Sequence, residues 1–219
     1  MNKKLKTRKL TLGPNLLIGI FLIYYLVGTA LFMMDWSRAL FQVLTPLSLV
    51  LSFAAVLVFQ KEWSVKLGIA FIVTFVSSLI IEMIGVHTGV LFGNYSYGSS
   101  LGPKIFHTPL LIGLNWLFLV YGSAAIVNHH FKNRFIKVLL GALIMVAYDV
   151  ILEYVAPAMD MWSWDTSYPG IRNFLMWFLI SFALHLLFQL LRLRIENKPA
   201  RYLIIIQFGF FCLIALSII

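Results

Sequence analysis

The sequence predicts an all-α fold, a polytopic integral membrane helical bundle with about seven transmembrane helices, in a single domain over residues 1–219. The first observation behind this prediction is composition: 61% of the residues are hydrophobic and only 11% are charged. Water-soluble domains contain about 25% charged residues. Most of the surface of this protein must therefore face lipid. The second observation is a series of long apolar runs, and the third is a one-sided distribution of basic residues.

Seven apolar runs of roughly 18–22 residues are each long enough, at about 1.5 Å per residue, to cross a hydrocarbon core of about 30 Å. Helices are expected because lipid offers no hydrogen-bond partner to open backbone. The predicted spans cover residues 16–34, 40–60, 65–86, 109–128, 135–155, 171–191 and 200–219.

The basic residues predict how these spans are oriented. All but three of the 17 lysines and arginines lie in the N-terminal tail 1–12, in the connections after the second, fourth and sixth spans, or within the first three residues of the span that follows each of these connections. The exceptions are Arg38, Lys104 and Arg172. This positive-inside distribution predicts a cytoplasmic tail, an outer C-terminus and a location in the cell membrane. The net charge of +9 is thereby attributed to topology, and no nucleic-acid partner is expected.

Several kinds of site are excluded by what the sequence lacks. Cys212 is the only cysteine, so no disulfide or thiolate metal site can form within one chain. No phosphate-binding loop, dinucleotide-binding glycine motif or nucleophile elbow is present. The last span has no interior lysine, which excludes a retinal Schiff base, and no histidine spacing favours a di-iron centre. We therefore expect no metal, no nucleotide cofactor and no retinal.

Three carboxyl groups inside the predicted spans are the candidate catalytic residues: Glu82, Asp149 and Glu153. An ionisable group at mid-span costs roughly 2.5–3.5 kcal/mol, which favours a functional role. The predicted topology places these groups, with Asn115 and Asn173, within about two helical turns of the outer ends of their helices. A shared site near the outer surface is therefore predicted. A protonated carboxyl in an apolar cavity is a competent general acid.

Two outer connections, residues 87–108 and 156–170, are longer than the others and are rich in aromatic residues. Connections of this length in a compact protein are frequently functional. His87, at the start of the first connection, is a further candidate for the shared site. Aromatic residues near the membrane surface can alternatively belong to the interfacial belt.

Two stretches carry a more specific pattern. The first begins at Glu82 and continues through Gly85, Gly89 and Phe92-Gly to the Tyr-Ser-Tyr sequence ending at Tyr97. The second runs from Asp149 through Glu153 and Asp160 to the Trp-Ser-Trp sequence 162–164, and then to Asn173 and Trp177. Together they resemble the carotenoid biosynthesis membrane-protein family that includes carotenoid 1,2-hydratases and bisanhydrobacterioruberin hydratase.

The resemblance implies hydration of the terminal C1–C2 double bond of an acyclic carotene end group, without a cofactor. It implies catalytic roles for Glu82, Asp149 and Glu153. The substrate is expected to enter from the bilayer, and a second copy of the chain or other carotenoid enzymes are possible partners. The predicted substrate-binding residues are Tyr95, Asn115, Trp116, Asp160, Trp162, Trp164, Asn173, Trp177 and His87.

Three alternatives stay open at this point. A carotenoid cyclase would use the same acid chemistry, but an internal alkene would capture the cation in place of water. A proton-coupled transporter would also place carboxyl groups inside the membrane, although polar groups at several depths would be expected. A pigment-binding protein would tolerate loss of the carboxyl groups.

Overall fold

The computed structural model describes residues 13–218, so the basic N-terminal stretch 1–12 and Ile219 lie outside the described residues. Its helices follow the predicted spans closely, with no boundary more than three residues away. The seven α-helices are α1 Pro14–Phe32, α2 Arg38–Leu57, α3 Val65–Thr88, α4 Leu110–His130, α5 Arg134–Val155, α6 Ile171–Leu190 and α7 Lys198–Ile218. A short 3-10 helix, Asp35–Ser37, precedes α2.

Within residues 13–218, six helices are long and apolar enough to cross a membrane. The described part of α2 contributes a shorter apolar segment, Val43–Leu57, so the span predicted over residues 40–60 stays a prediction. The all-α membrane bundle itself is confirmed.

The helix α4 occupies the centre of the bundle, where it packs against α3, α5 and α7. Most of its residues are buried, whereas the other long helices expose apolar faces to lipid. Close approach of α3 and α4 requires a glycine: a Cβ at Gly113 would lie 2.9 Å from the backbone oxygen of Phe75. The outer part of α4 is thereby held against α3.

Two short antiparallel sheets form from the outer connections. The first pairs β1, Tyr95–Tyr97, with β4, Trp162–Trp164. The second is a hairpin of β2, Lys104–Ile105, and β3, Thr108–Pro109. Because β1 follows α3 and β4 follows α5, the first sheet joins two connections over the ends of those two helices.

Hydrogen bonds next to this sheet fix the two connections to each other. The Asp160 Oδ2 accepts from the Ser99 backbone N–H at 3.0 Å and also from the Ser99 hydroxyl. The Gly98 N–H donates to the Met161 oxygen at 2.9 Å. Asp160 has a positive φ of 52°, a conformation in which short polar residues are enriched.

Gly98→Ala is expected to loosen this junction. A Cβ at Gly98 would lie 2.2 Å from the backbone oxygen of Asp160, so one of the two connections must move. Overpacking of this kind costs about 1–3 kcal/mol. Thermal unfolding of the purified protein should therefore occur several degrees lower than in the wild type.

Gly170→Ala is the matched control, because a Cβ there meets nothing within 4 Å. Equal unfolding temperatures for the two variants would show that the junction does not depend on the close approach at Gly98.

Candidate active site

Glu82, near the outer end of α3, accepts hydrogen bonds from three side chains. Its Oε2 accepts from the Tyr95 hydroxyl at 2.6 Å and from the Tyr97 hydroxyl at 2.8 Å. Its Oε1 accepts from the Trp116 indole N–H at 2.8 Å. The carboxyl group is only 4% exposed, so these three donors replace the water that it would otherwise bind.

Glu153, near the end of α5, is held in a similar way. Its Oε2 accepts from the indole N–H of Trp162 at 2.8 Å and of Trp164 at 2.6 Å. Its Oε1 has a longer contact, 3.2 Å, with the amide nitrogen of Asn173. The two oxygens therefore differ, since one is fully occupied by indole donors and the other is held weakly.

Asp149 lies one helical turn before Glu153 and is fully buried. Its Oδ2 accepts from the Asn173 amide nitrogen at 3.0 Å. Its Oδ1 has no hydrogen-bond partner within the described residues. A single amide nitrogen thus bridges two buried carboxyl groups.

The first sheet explains how the aromatic donors reach the two glutamates. Alternate residues of a strand point to the same face. Tyr95 and Tyr97 therefore share one face of β1, as Trp162 and Trp164 share one face of β4. Tyr95 pairs with Trp164, and their ring centroids are 5.0 Å apart. Tyr97 pairs with Trp162, with centroids 6.2 Å apart.

The tyrosine hydroxyls of this sheet remain neutral donors. Burial raises the pKa of Tyr95 and of Tyr97 well above its usual value, and the negative charge of Glu82 raises both further. Neither hydroxyl loses its proton at physiological pH, so both hydrogen bonds to the carboxyl group persist.

A small cavity of about 20 Å³ lies between the two glutamates and the aromatic side chains. A cavity needs about 10–15 Å³ of this kind of volume, together with polar partners, to hold one water molecule. This one meets both conditions. It is lined by Glu82, Phe92, Tyr95, Tyr97, Ile112, Glu153, Trp162, Trp164, Asn173 and Trp177.

A larger, mostly apolar cavity of about 140 Å³ adjoins the small one. It lies among α1, α2, α4, α5 and α7, and its lining includes Gly28, Asn115 and Phe210. A cavity of about 150 Å³ lined by apolar side chains is large enough for benzene. Ile112 and Trp162 line both cavities and so form the boundary between them.

A third, open cavity of about 420 Å³ lies on the other side of the tyrosine pair. Its lining includes His87, Lys104 and His107, together with Tyr95 and Tyr97. The two tyrosines line both this outer cavity and the water-sized one. They therefore separate the buried carboxyl groups from the surface predicted to face outward.

Most of the predicted site residues come together. The indole rings of Trp116 and Trp177 stack with centroids 4.0 Å apart, beside Glu82. The predicted residues within this cluster are Glu82, Tyr95, Trp116, Asp149, Glu153, Trp162, Trp164, Asn173 and Trp177.

Three predicted residues lie elsewhere. Asn115 lines the apolar cavity and is not among the hydrogen-bond donors of the three carboxyl groups. His87 is exposed and lines the outer cavity. Asp160 bonds to Ser99 in the junction of the two outer connections. The predicted depth of each residue in the membrane did not specify which side chains surround it.

One donor was missed by the sequence analysis. Tyr97 bonds to Glu82 as directly as Tyr95 does. The Tyr-Ser-Tyr sequence could have indicated this role, because two tyrosines two residues apart in a strand share a face. A separate polar group, Gln207, was also missed: its Oε1 accepts from the Tyr148 hydroxyl at 3.0 Å beside the apolar cavity.

Across residues 13–218, no group of three or more His, Cys, Asp or Glu side chains has the arrangement needed to hold a metal ion. The carboxyl groups are occupied instead by hydroxyl, indole and amide donors.

The fold and the site together define a multi-pass membrane protein with a hydrogen-bonded carboxyl cluster beside an apolar cavity. Residues 39–218 match the family model described as "Carotenoid biosynthesis protein". The chain belongs to this carotenoid biosynthesis family. No curated protein and no solved structure matches the chain.

Proposed function

We propose that the protein is a carotenoid hydratase, which adds water across the terminal C1–C2 double bond of an acyclic carotene end group. The observation that carries this proposal is the water-sized cavity lined by both Glu82 and Glu153. Hydration needs a proton donor, a water molecule and a proton acceptor close to one another. Two carboxyl groups at one water-sized cavity, beside an apolar cavity, meet this requirement without a cofactor.

Glu153 is the proposed proton donor. Asn173 bridges Glu153 to Asp149, and two like charges this close favour a single proton shared by the pair. The Oε2 of Glu153 is occupied by two indole donors, so the proton resides on Oε1. Transfer of this proton to C2 of the alkene forms the new C–H bond and leaves a tertiary cation at C1.

Glu82 is the proposed base. Three neutral donors hold its carboxyl group and, unlike the amide that Glu153 shares with Asp149, none of them bonds to a second carboxyl group, so these hydrogen bonds favour a carboxylate. Water attacks the cation at C1 to form the new C–O bond and gives up one proton to Glu82. Return of that proton to Glu153 restores the starting state, so the reaction consumes only the alkene and water.

Aromatic faces stabilise the cation. Trp162, Trp164, Trp177 and Tyr95 all line the water-sized cavity. A cation over an aromatic face gains about 0.5–2 kcal/mol per ring. The negative charge of Glu82 adds to this stabilisation, so the cation survives long enough for water to capture it.

The carotene end group is proposed to occupy the apolar cavity and to reach the carboxyl groups past Ile112 and Trp162. The cavity size suits a unit of about six carbon atoms, comparable with one prenyl unit. The rest of the polyene then extends between helices into lipid. The protein thus takes its substrate from the cell membrane in which it is proposed to reside.

Gly28→Leu is expected to raise the KM for the carotene with little change in kcat. Gly28 lines the apolar cavity, so a leucine side chain there fills space proposed for the end group. Its Cβ would lie 3.3 Å from the Phe210 ring, which has to give by only a few tenths of an ångström. Steady-state rates in detergent micelles of graded carotene content measure both constants.

Gly19→Leu is the control on the same helix, since a Cβ there meets nothing within 4 Å and does not line the cavity. A KM that is raised equally in both variants, or in neither, argues against substrate binding in this cavity.

The test of the proposed function is product analysis in a host that makes an acyclic carotene and lacks its own hydratase. Expression of the correctly inserted protein should yield a pigment heavier than its precursor by one water molecule. An isomer of unchanged mass would identify a cyclase and overturn the proposal. If the protein is inserted and the pigment is unchanged, the hydratase proposal fails and a transporter or a pigment-binding protein becomes the favoured alternative.

A further inference from the structure

A basic pocket of about 510 Å³ lies at the opposite end of the bundle from the carboxyl cluster, where α4 ends and α7 begins. By the distribution of basic residues, this end is the predicted cytoplasmic one. The lining contains three permanent cations and one acidic residue, and so keeps a positive charge. Its polar and charged members are Lys61, Asn128, His129, Glu196, Lys198 and Arg201.

Two of these side chains have buried polar atoms without partners. Both the Nδ2 and the Oδ1 of Asn128 are buried and make no hydrogen bond within the described residues. The Nε of Arg201 is also buried and makes no hydrogen bond within the described residues. Buried polar groups in folded proteins nearly always have a partner, and an exception can indicate an absent ligand. Both residues line this pocket, so a ligand that accepts hydrogen bonds would satisfy the Asn128 Nδ2 and the Arg201 Nε.

The walls of the pocket are held in place by contacts that leave these groups free to bind. The Asn197 Oδ1 accepts from the Ala200 N–H at 3.1 Å at the start of α7. Its Nδ2 donates to the Val56 oxygen at 2.8 Å and to the Tyr121 hydroxyl at 2.9 Å. The first turn of α7, which carries Arg201, is therefore fixed to α2 and α4.

We propose that this pocket binds a phosphate group, with Lys61 and Arg201 as its charged contacts and Asn128 as a neutral donor. Guanidinium and ammonium groups pair strongly with phosphate oxygens, and an amide N–H can complete the set. The pocket lies at the predicted cytoplasmic ends of α4 and α7, and basic pockets on that side of a membrane protein bind anionic lipids. Inorganic phosphate offers the same chemistry.

The experiment uses full-length protein purified in an uncharged detergent. Its thermal unfolding is followed with added phosphatidylglycerol, with diacylglycerol carrying the same acyl chains, and with inorganic phosphate. We expect phosphatidylglycerol to raise the unfolding temperature in a concentration-dependent way, because a ligand bound only to the folded state stabilises it. Diacylglycerol, which lacks the phosphate, should not do so.

Lys61→Gln/Arg201→Gln should weaken this response so that the apparent Kd rises by about tenfold or more. Lys132→Gln/Arg134→Gln removes the same charge from exposed positions in the α4–α5 connection and at the start of α5, and it should keep the response. Without lipid, the Asn128→Leu variant should have an unfolding temperature no lower than that of the wild type, because the change removes two unpartnered polar atoms. With phosphatidylglycerol, its unfolding temperature should rise less than that of the wild type.

A response to inorganic phosphate equal to that to phosphatidylglycerol would support the phosphate site and identify the free ion as its ligand. An equal response to diacylglycerol would overturn the proposal. So would the absence of any response in the wild type, or an equal loss in the control double variant.

Discussion

Glu153→Gln is expected to lower the rate of carotene hydration by about 10²–10⁴-fold, the range contributed by a positioned general acid. Glutamine keeps the size of the side chain, and its oxygen can still accept from the indoles of Trp162 and Trp164. Its amide cannot protonate an alkene. Product formation by purified, reconstituted protein measures the loss, and unfolding temperature shows whether the fold persists.

Asp165→Asn is the control for this change, because it alters an exposed carboxyl group in the outer connection that also carries β4. It should leave the rate unchanged. A Glu153→Gln protein that is folded and retains full activity would remove Glu153 from the mechanism.

Glu82→Gln is expected to lower the rate by a similar factor, about 10²–10⁴-fold, for a different reason. The amide oxygen can still accept from the Trp116 indole, and the hydroxyls of Tyr95 and Tyr97 can turn to accept from the new amide group. The water then has no base to take its proton, and the cation loses the nearby negative charge.

Heavy water distinguishes the two roles. With Glu82→Gln, Glu153 still protonates the alkene reversibly and capture of the cation by water becomes the slow step, so the rate should change little in heavy water. With Glu153→Gln, proton transfer to C2 becomes the slow step, so the rate should fall clearly in heavy water. The reverse pattern would make Glu82 the proton donor and Glu153 the base. The control is Glu62→Gln, at an exposed position between α2 and α3, which should behave as the wild type.

The sequence by itself determined the membrane class, the helix boundaries within three residues, and which carboxyl groups are candidates for the site. These follow from local properties: apolar run length sets each helix, and the cost of a buried ionisable group draws attention to Glu82, Asp149 and Glu153. The four-residue spacing of the last two also placed them on one helix face without any tertiary information.

The tertiary structure alone decided which neighbours these residues have. Asn115 and Trp116 are adjacent in sequence, but successive helix positions differ by about 100°, so one lines the apolar cavity and the other bonds to Glu82. The pairing of β1 with β4 joins residues more than sixty positions apart. No local pattern specifies such a pairing, because its register depends on where α3 and α5 end in space. That pairing places the hydroxyl and indole donors on the two glutamates, and it separates Asp160 from them as part of the junction.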